Sequence, residues 1–232
     1  MSNYIVVTGA SRGLGKELSK QLAKLGYNVL ITARDEKKGK DVLEEISAHS
    51  PKSRLLFHEL DVSNEKSIKR FGAYLKKEMI EVDILVNNAG IMVNSDSTIS
   101  VEKKEMQRSF DTNFYGPLLV SQELIPYLQK SGHGKIINVS SGMGSFHELF
   151  GGYAAYRISK TALNSLTAIM SKDLVQHGIK VFSVCPGWVK TDMGGAAAPR
   201  NVQQGVDSIK WLITKNEGVS GKFYRDKKQI SF

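Results

Sequence analysis

Tyr156 and Lys160 stand four residues apart in a stretch that reads as helix, so their side chains project from one face. A tyrosine is a weak acid near neutrality, with an ordinary pKa of about 10. An ammonium one turn away favours the phenolate, so Lys160 is expected to lower the Tyr156 pKa and fit it for proton transfer. On its own such a pair is more often a solvated contact on a helix surface. A second chemical feature is the turn Thr8-Gly9-Ala10-Ser11-Arg12-Gly13-Leu14-Gly15, which follows the strand-like run Tyr4-Ile5-Val6-Val7 and opens a helix. Glycines there allow a tight turn and bring backbone N–H groups close to a diphosphate, while the helix N-terminus adds partial positive charge. Strand, turn and helix in that order are the setting of a dinucleotide loop. A magnesium-nucleotide loop is excluded, because Lys16 is followed by Glu17 and not by a hydroxyl residue.

The end of the second strand-like run, Ile31-Thr32-Ala33-Arg34-Asp35, bears on which dinucleotide fits. Arg34, joined by Arg12 from the glycine turn, can hold a ribose 2′-phosphate through charge-assisted hydrogen bonds. Asp35 is the competing residue, since a carboxylate at this place accepts from a free 2′-hydroxyl. The two guanidiniums favour NADP(H).

These groups need a scaffold, and the chain has the rhythm of one. Apolar strand-like runs cover Tyr4 to Thr8, Asn28 to Ala33, Arg54 to Leu60, Asp83 to Val86, Lys135 to Val139 and Lys180 to Cys185, with a last short one at Lys222 to Arg225. Most are hydrophobic throughout, as parallel strands covered on both faces must be. Amphipathic stretches alternate with them. Leu14, Leu18, Leu22 and Leu25 recur on one face before Gly26, and Val42, Ile46, Ile68, Phe71 and Leu75 mark the next two helices. Leu118, Leu124 and Leu128 mark a fourth, which Gly116-Pro117 is expected to interrupt, and a fifth runs from about Tyr153 to Gln176. The alternation predicts an α/β fold, a Rossmann-type doubly wound parallel sheet with helices on both faces. With 232 residues and no linker or repeat, one domain over 1–232 is expected, with residues 187–200, rich in Gly and Ala, as a short substrate loop.

Composition narrows the function classes. The single cysteine, Cys185, excludes an intrachain disulfide and a Cys-rich metal site, and the five histidines show no metal-ligand spacing, so no metal is expected. The net charge of +9 raises a polyanion as a partner, but lysines such as Lys16, Lys20 and Lys24 are scattered among acids and form no block. A basic solvated surface without nucleic-acid binding is the simpler reading. No apolar run is long enough to span a bilayer and no leader-like segment opens the chain, so a cytoplasmic protein without membrane contact is expected.

Beyond these features, further segments fall in the order of a known family. Leu60-Asp61-Val62, Asn87-Asn88-Ala89-Gly90, Asn113 within Thr112-Asn113-Phe114-Tyr115-Gly116, Asn138-Val139-Ser140-Ser141, Tyr156-Arg157-Ile158-Ser159-Lys160 and Pro186-Gly187-Trp188-Val189-Lys190-Thr191 accompany the glycine turn. Together they resemble the short-chain dehydrogenases/reductases, and most closely their carbonyl reductase and sniffer-like branch. The resemblance covers nearly the whole chain. It implies about seven strands in the order 3-2-1-4-5-6-7. It implies a catalytic set of Asn113, Ser141, Tyr156 and Lys160, in which Ser141 donates to the substrate oxygen, Lys160 also bonds the nicotinamide ribose, and Asn113 holds a water that returns the proton through Lys160. It implies cofactor contacts from Gly9, Ser11, Arg12, Gly13, Leu14, Gly15, Arg34, Asp61, Val62, Asn88, Ala89, Gly90, Tyr156, Lys160, Pro186, Gly187, Val189 and Thr191. One departure is visible: Ser141 and Tyr156 are separated by more residues than is usual, and the surplus falls within Gly142 to Gly152.

Apolar residues flank this set: Ile91, Met92, Met143, Phe146, Phe150, Trp188 and Met193. Such walls around one polar patch suit a lipophilic ketone, aldehyde or quinone of varied shape. The expected function is NADPH-dependent reduction of a small-molecule carbonyl with Tyr156 as general acid. The alternative is an NADPH-binding sensor or scaffold of the same fold that does no chemistry. Family members pair through the helices that here cover about Asn113 to Lys130 and Tyr153 to Gln176, so a homodimer is a further expectation of the resemblance.

Overall fold

The computed structural model describes residues 3–93, 96–215 and 217–232. Eight strands form one sheet: β1 (Tyr4–Val7), β2 (Asn28–Ala33), β3 (Leu55–Glu59), β4 (Val82–Asn87), β5 (Lys135–Val139), β6 (Lys180–Val184), β7 (Phe223–Arg225) and β8 (Lys228–Ile230). Their order is β3-β2-β1-β4-β5-β6-β7-β8. The first seven run parallel, and β8 turns back antiparallel beside β7. The expected order thus holds with one strand added. Asp226 and Lys227 make the extra turn with positive φ, a conformation that their side chains do not advertise.

The strands are apolar throughout because both faces are covered. Ile5 and Val7 face a core that includes Leu18 and Leu22 of α1 (Gly13–Lys24), Val42 and Ile46 of α2 (Glu36–Ser47), and Val206, Ile209 and Leu212 of α7 (Val202–Thr214). Val6 faces the other core, with Phe71 of α3 (Glu65–Lys77), Leu124 of α5 (Gly116–Ser131) and Met170 of α6 (Ala154–Asp173). Leu25 departs from its expected face: it caps the C-terminus of α1 and lies exposed. Among the described residues no helix is long and apolar enough to cross a membrane.

Two helical features differ from the sequence reading. Gly116-Pro117 does not interrupt its helix but starts it, with Pro117 in the first turn, where a missing N–H costs nothing. Before it, α4 (Lys103–Phe110) runs into a π-helical turn, Asp111–Tyr115, that leads directly into α5. α7 was also not foreseen. It packs beside α1, with Gly205 close against Leu14 and Val189. Its N-terminus is a reciprocal cap: the Asn201 side chain accepts from Gln204 N at 2.8 Å, and the Gln204 side chain accepts from Asn201 N at 3.0 Å. Asn201→Ala should therefore cost about 1 kcal/mol and lower the melting temperature by roughly 2–4 °C. A thermal melt followed by circular dichroism checks this, and an unchanged midpoint would refute it.

Candidate active site

The C-terminal ends of β1, β4, β5 and β6 open into a cleft of about 1310 Å³, at the place where the strand order reverses. The glycine turn forms one wall. Gly9 has φ +64°, and a Cβ there would lie 2.8 Å from Ala89 Cα, so only glycine lets the turn approach the segment after β4. Asn88 bolts the two together: its Nδ2 donates to the Thr8 and Gly9 carbonyls at 2.8 and 3.1 Å. Thr8 Oγ1 in turn accepts from Asn88 N and Ala89 N, both at 3.0 Å. Gly15 does not reach the cleft. A Cβ on it would lie 2.7 Å from the Gly9 carbonyl oxygen, so it serves the packing of α1 under the turn and not the contact expected of it.

Ser11, Gly13, Leu14, Ala89 and Gly90 line the cleft, as do Asp61 and Val62 after β3 and Pro186, Gly187, Val189 and Thr191 after β6. Asp61 is shaped by its neighbour, accepting from Ser63 N at 3.0 Å and Ser63 Oγ at 2.7 Å. Arg34 lines the far end with Lys38, a cation that the sequence reading did not single out. The competing carboxylate of Asp35 also lines the cleft but is already engaged. Asp35 caps α2, accepting from Lys38 N at 3.0 Å, and its other oxygen faces Lys38 Nζ at 3.5 Å. That cap hydrogen bond is the largest cause holding its carboxyl below the usual range. Arg12 reaches across the cleft mouth to Asp192 at 2.6 Å. It occupies the N-cap position of α1 without a side-chain cap bond, which leaves that helix terminus suited to an anion. The donor set, an arginine pair beside a backbone cradle, fits a phosphorylated dinucleotide.

At the other end, β5 delivers Ser141 just past its last residue, and α6 presents Tyr156 and Lys160. Ser141 Oγ accepts from Met143 N at 3.1 Å, which fixes the hydroxyl at the start of a tight turn. The Ser141 hydroxyl is also near enough to Tyr156 to lower the pKa of its phenol. Lys160 Nζ donates to the Val139 carbonyl at 2.8 Å and lies 5.8 Å from the centre of the Tyr156 ring. Both side chains are buried. Burial dominates their acidities. Desolvation pushes the Tyr156 phenol up to about 12, against a lowering from the Ser141 hydrogen bond, and pulls the Lys160 ammonium down to about 8. The expected lowering of Tyr156 by Lys160 is thus not found. The apolar shell penalises the phenolate more than the lysine, which bonds a carbonyl instead, can favour it.

Asn113 lies in the π-helical turn, fully buried behind the cleft wall. Its Oδ1 accepts from Ile91 N at 2.9 Å, and its Nδ2 donates to the Ile91 carbonyl at 2.8 Å and Ser159 Oγ at 3.0 Å. With its amide so engaged, the side chain holds the segment after β4 against α6. Gly90 sits between Asn113 and Lys160, where a Cβ would lie 3.3 Å from Asn113 Oδ1 and 3.5 Å from Lys160 Nζ.

Of the apolar wall, Ile91, Met92, Met143, Phe150, Trp188 and Met193 line the cleft. Phe146 does not. The surplus residues after Ser141 form two short turns, Gly142–Gly144 and Phe146–Glu148, and the second aims Phe146 at a separate hollow of about 130 Å³ beside Thr161 and Phe232. Glu148, Arg157 and Arg225 also line the cleft, and sequence reasoning missed them. Their only early signal was the Arg157 that follows Tyr156.

The chain matches the short chain dehydrogenase family over residues 3–201. It belongs to that family. It is 30% identical to carbonyl reductase [NADPH] 1 of Mus musculus, with 96% of each chain covered, and 31% identical to (+)-neomenthol dehydrogenase of Arabidopsis thaliana, covering 98% of this chain and 97% of that one. Among solved structures, NADPH-bound carbonyl reductase from chicken fatty liver superimposes with a TM-score of 0.89 at 32% identity, over 99% of both chains. Carbonyl reductase Sniffer of D. melanogaster does so with 0.84 at 31%, over 96% of both. These similarities assign this short-chain dehydrogenase to the carbonyl reductase branch.

The Lys160 shift has a thermodynamic sign. Between pH 8 and the ordinary lysine range, the unfolded chain binds this proton and the folded one does not, so stability rises with pH. Relative to Lys160→Met, which lacks the titration, the wild type should gain roughly 1–3 kcal/mol between pH 7 and pH 10. Urea unfolding of both proteins at the two pH values measures it. A constant difference would mean that the ammonium is not desolvated.

Proposed function

We propose that this protein reduces a lipophilic ketone, aldehyde or quinone to an alcohol at the expense of NADPH. The reading rests above all on the meeting of Ser141, Tyr156 and Lys160 at one end of a cleft whose other end carries Arg12 and Arg34. When bound, the reduced dinucleotide supplies hydride to the carbonyl carbon. Arg34 and Arg12 would hold its 2′-phosphate, Arg12 giving up Asp192 to do so. The glycine turn would cradle the diphosphate, Asp61 and Val62 would border the adenine, and Pro186, Gly187, Val189 and Thr191 would hold the nicotinamide end.

The chain's own residues do the proton work. Ser141 donates to the carbonyl oxygen, where negative charge develops, and so acts as an oxyanion donor. Tyr156 gives its proton to that oxygen as general acid. A phenol held near 12 keeps its proton throughout the neutral range, which suits the reducing direction. Lys160, charged below about pH 8 and held by the Val139 carbonyl, would orient the ribose. Asn113 acts by positioning, keeping Ile91 and Ser159 in place around the lysine. The apolar wall of Met92, Met143, Phe150, Trp188 and Met193 accepts varied carbon skeletons.

Two measurements test this reading. Tyr156→Phe should lower turnover of menadione, isatin or an aromatic aldehyde roughly 10²–10⁴-fold, with NADPH affinity nearly kept. Full activity in that variant removes Tyr156 from the role, and saturable NADPH binding without turnover in the wild type would make the protein a sensor. NADPH should also bind at least tenfold more tightly than NADH, about 1.4 kcal/mol, and Arg34→Ala should abolish most of that preference. Equal affinities of the wild type for the two cofactors, read by fluorescence titration, would overturn the phosphate assignment.

A further inference from the structure

The substrate end of the cleft holds more charge than its apolar wall suggests. Arg225, the last residue of β7, and Arg157, in the first turn of α6, both line it beside the Glu148 carboxylate. Glu148 grips the Arg225 fork with both oxygens: Nη2 donates to Oε1 at 2.6 Å and Nη1 to Oε2 at 3.1 Å. The pair lies over Gly142, where a Cβ would fall 3.0 Å from Arg225 Nη1 and would clash with the Glu148 carboxylate. Gly142 directly follows Ser141, so the fork packs on the residue next in the chain to the reacting hydroxyl.

Arg157 leaves the charge unbalanced. It is 3% exposed, and among the described residues its guanidinium donates to carbonyls: Gly152 at 3.0 Å, Glu148 at 3.3 Å and Met143 at 3.4 Å. The Phe150 ring lies 3.7 Å from its guanidinium carbon, and Nη2 finds no hydrogen-bond partner among the described residues. Two guanidiniums thus line the cleft beside the Glu148 carboxylate.

We propose that Arg225 receives an anionic group of the substrate, so that the preferred compounds are apolar carbonyls bearing a carboxylate. This rests on the carbonyl-reducing reading of the same cleft. Glu148 holds the fork as an internal stand-in. It sits on a short turn with its own side chain 40% exposed, so it can swing to water while a substrate carboxylate takes over its two N–H bonds. The exchange conserves two charge-assisted hydrogen bonds, and the unpaired charge of Arg157 favours the entering anion. The apolar body of the substrate then lies along Met143 and Phe150.

The test compares 4-carboxybenzaldehyde with its methyl ester, following NADPH oxidation. The wild type should favour the acid in kcat/KM. Arg225→Gln should lower the acid-to-ester ratio roughly tenfold or more, as loss of a paired charge does. Glu148→Gln should raise that ratio, because it frees the fork. A brace that merely ties the turn to the sheet would move both substrates together, so a constant ratio in both variants overturns the proposal, as does an ester preference in the wild type. If neither aldehyde is reduced, and menadione and isatin are not reduced either, the carbonyl-reducing reading fails. Calorimetric titration with 4-carboxybenzaldehyde then still decides the anion site: binding lost in Arg225→Gln supports it, and equal binding overturns it.

Discussion

The arrangement depends on a polar seam between α6 and the ends of the central strands. Lys160, Asn164 and Thr167 follow one another along the inward face of α6, where apolar residues would ordinarily stand. Lys160 donates to the Val139 carbonyl. Asn164 donates to the Gly144 carbonyl and accepts from Ser183 Oγ. Thr167 Oγ1 accepts from Asn138 Nδ2, and Asn138 Oδ1 accepts from Asn87 Nδ2, which also donates to Ser121 on α5. Apolar contacts tolerate sliding; buried hydrogen bonds do not, since each group left unpaired costs about 1–3 kcal/mol. The seam therefore fixes α6 in rotation and in height against β5 and β6, and with it the place of Tyr156 one turn up.

The same burial sets the chemistry. A neutral phenol and a weakened ammonium side by side are what a low-dielectric wall produces from tyrosine and lysine. Charge is pushed to the ends of the cleft, where solvent and partners are available: Arg12, Arg34 and Lys38 at one, Glu148 and Arg225 at the other. Apolar lining comes from Ile91, Met92, Trp188 and Met193.

Much of this could be read from local sequence. Strands buried on both faces announce themselves as continuous apolar runs, and β2 and β5 match their expected bounds. The glycine turn, Ser141 and the Tyr156–Lys160 spacing are local as well. What escaped were pairings between distant segments. Arg12 meets Asp192 across 180 residues and Arg225 meets Glu148 across 77, and no periodicity encodes either. The acidity of Tyr156 escaped for a related reason, because it depends on the depth of burial more than on its nearest charged neighbour. α7 is a different case. Val206, Ile209, Leu212 and Ile213 carry its periodicity, and Asn201 with Gln204 its start signal, but both follow a Gly- and Ala-rich loop that draws attention to itself.

The hairpin made by β8 has an effect beyond adding a strand. Without it, β7 would end the sheet, and its open N–H and C=O groups would offer a template for another chain. With it, the outermost position passes to three residues that begin with an exposed lysine, Lys228, paired with Arg225. A short, charged border of this kind discourages edge-to-edge aggregation. It also leaves Arg225 on an interior strand, so a single turn at Asp226 and Lys227 both keeps molecules apart and holds rigid a side chain at the mouth of the cleft.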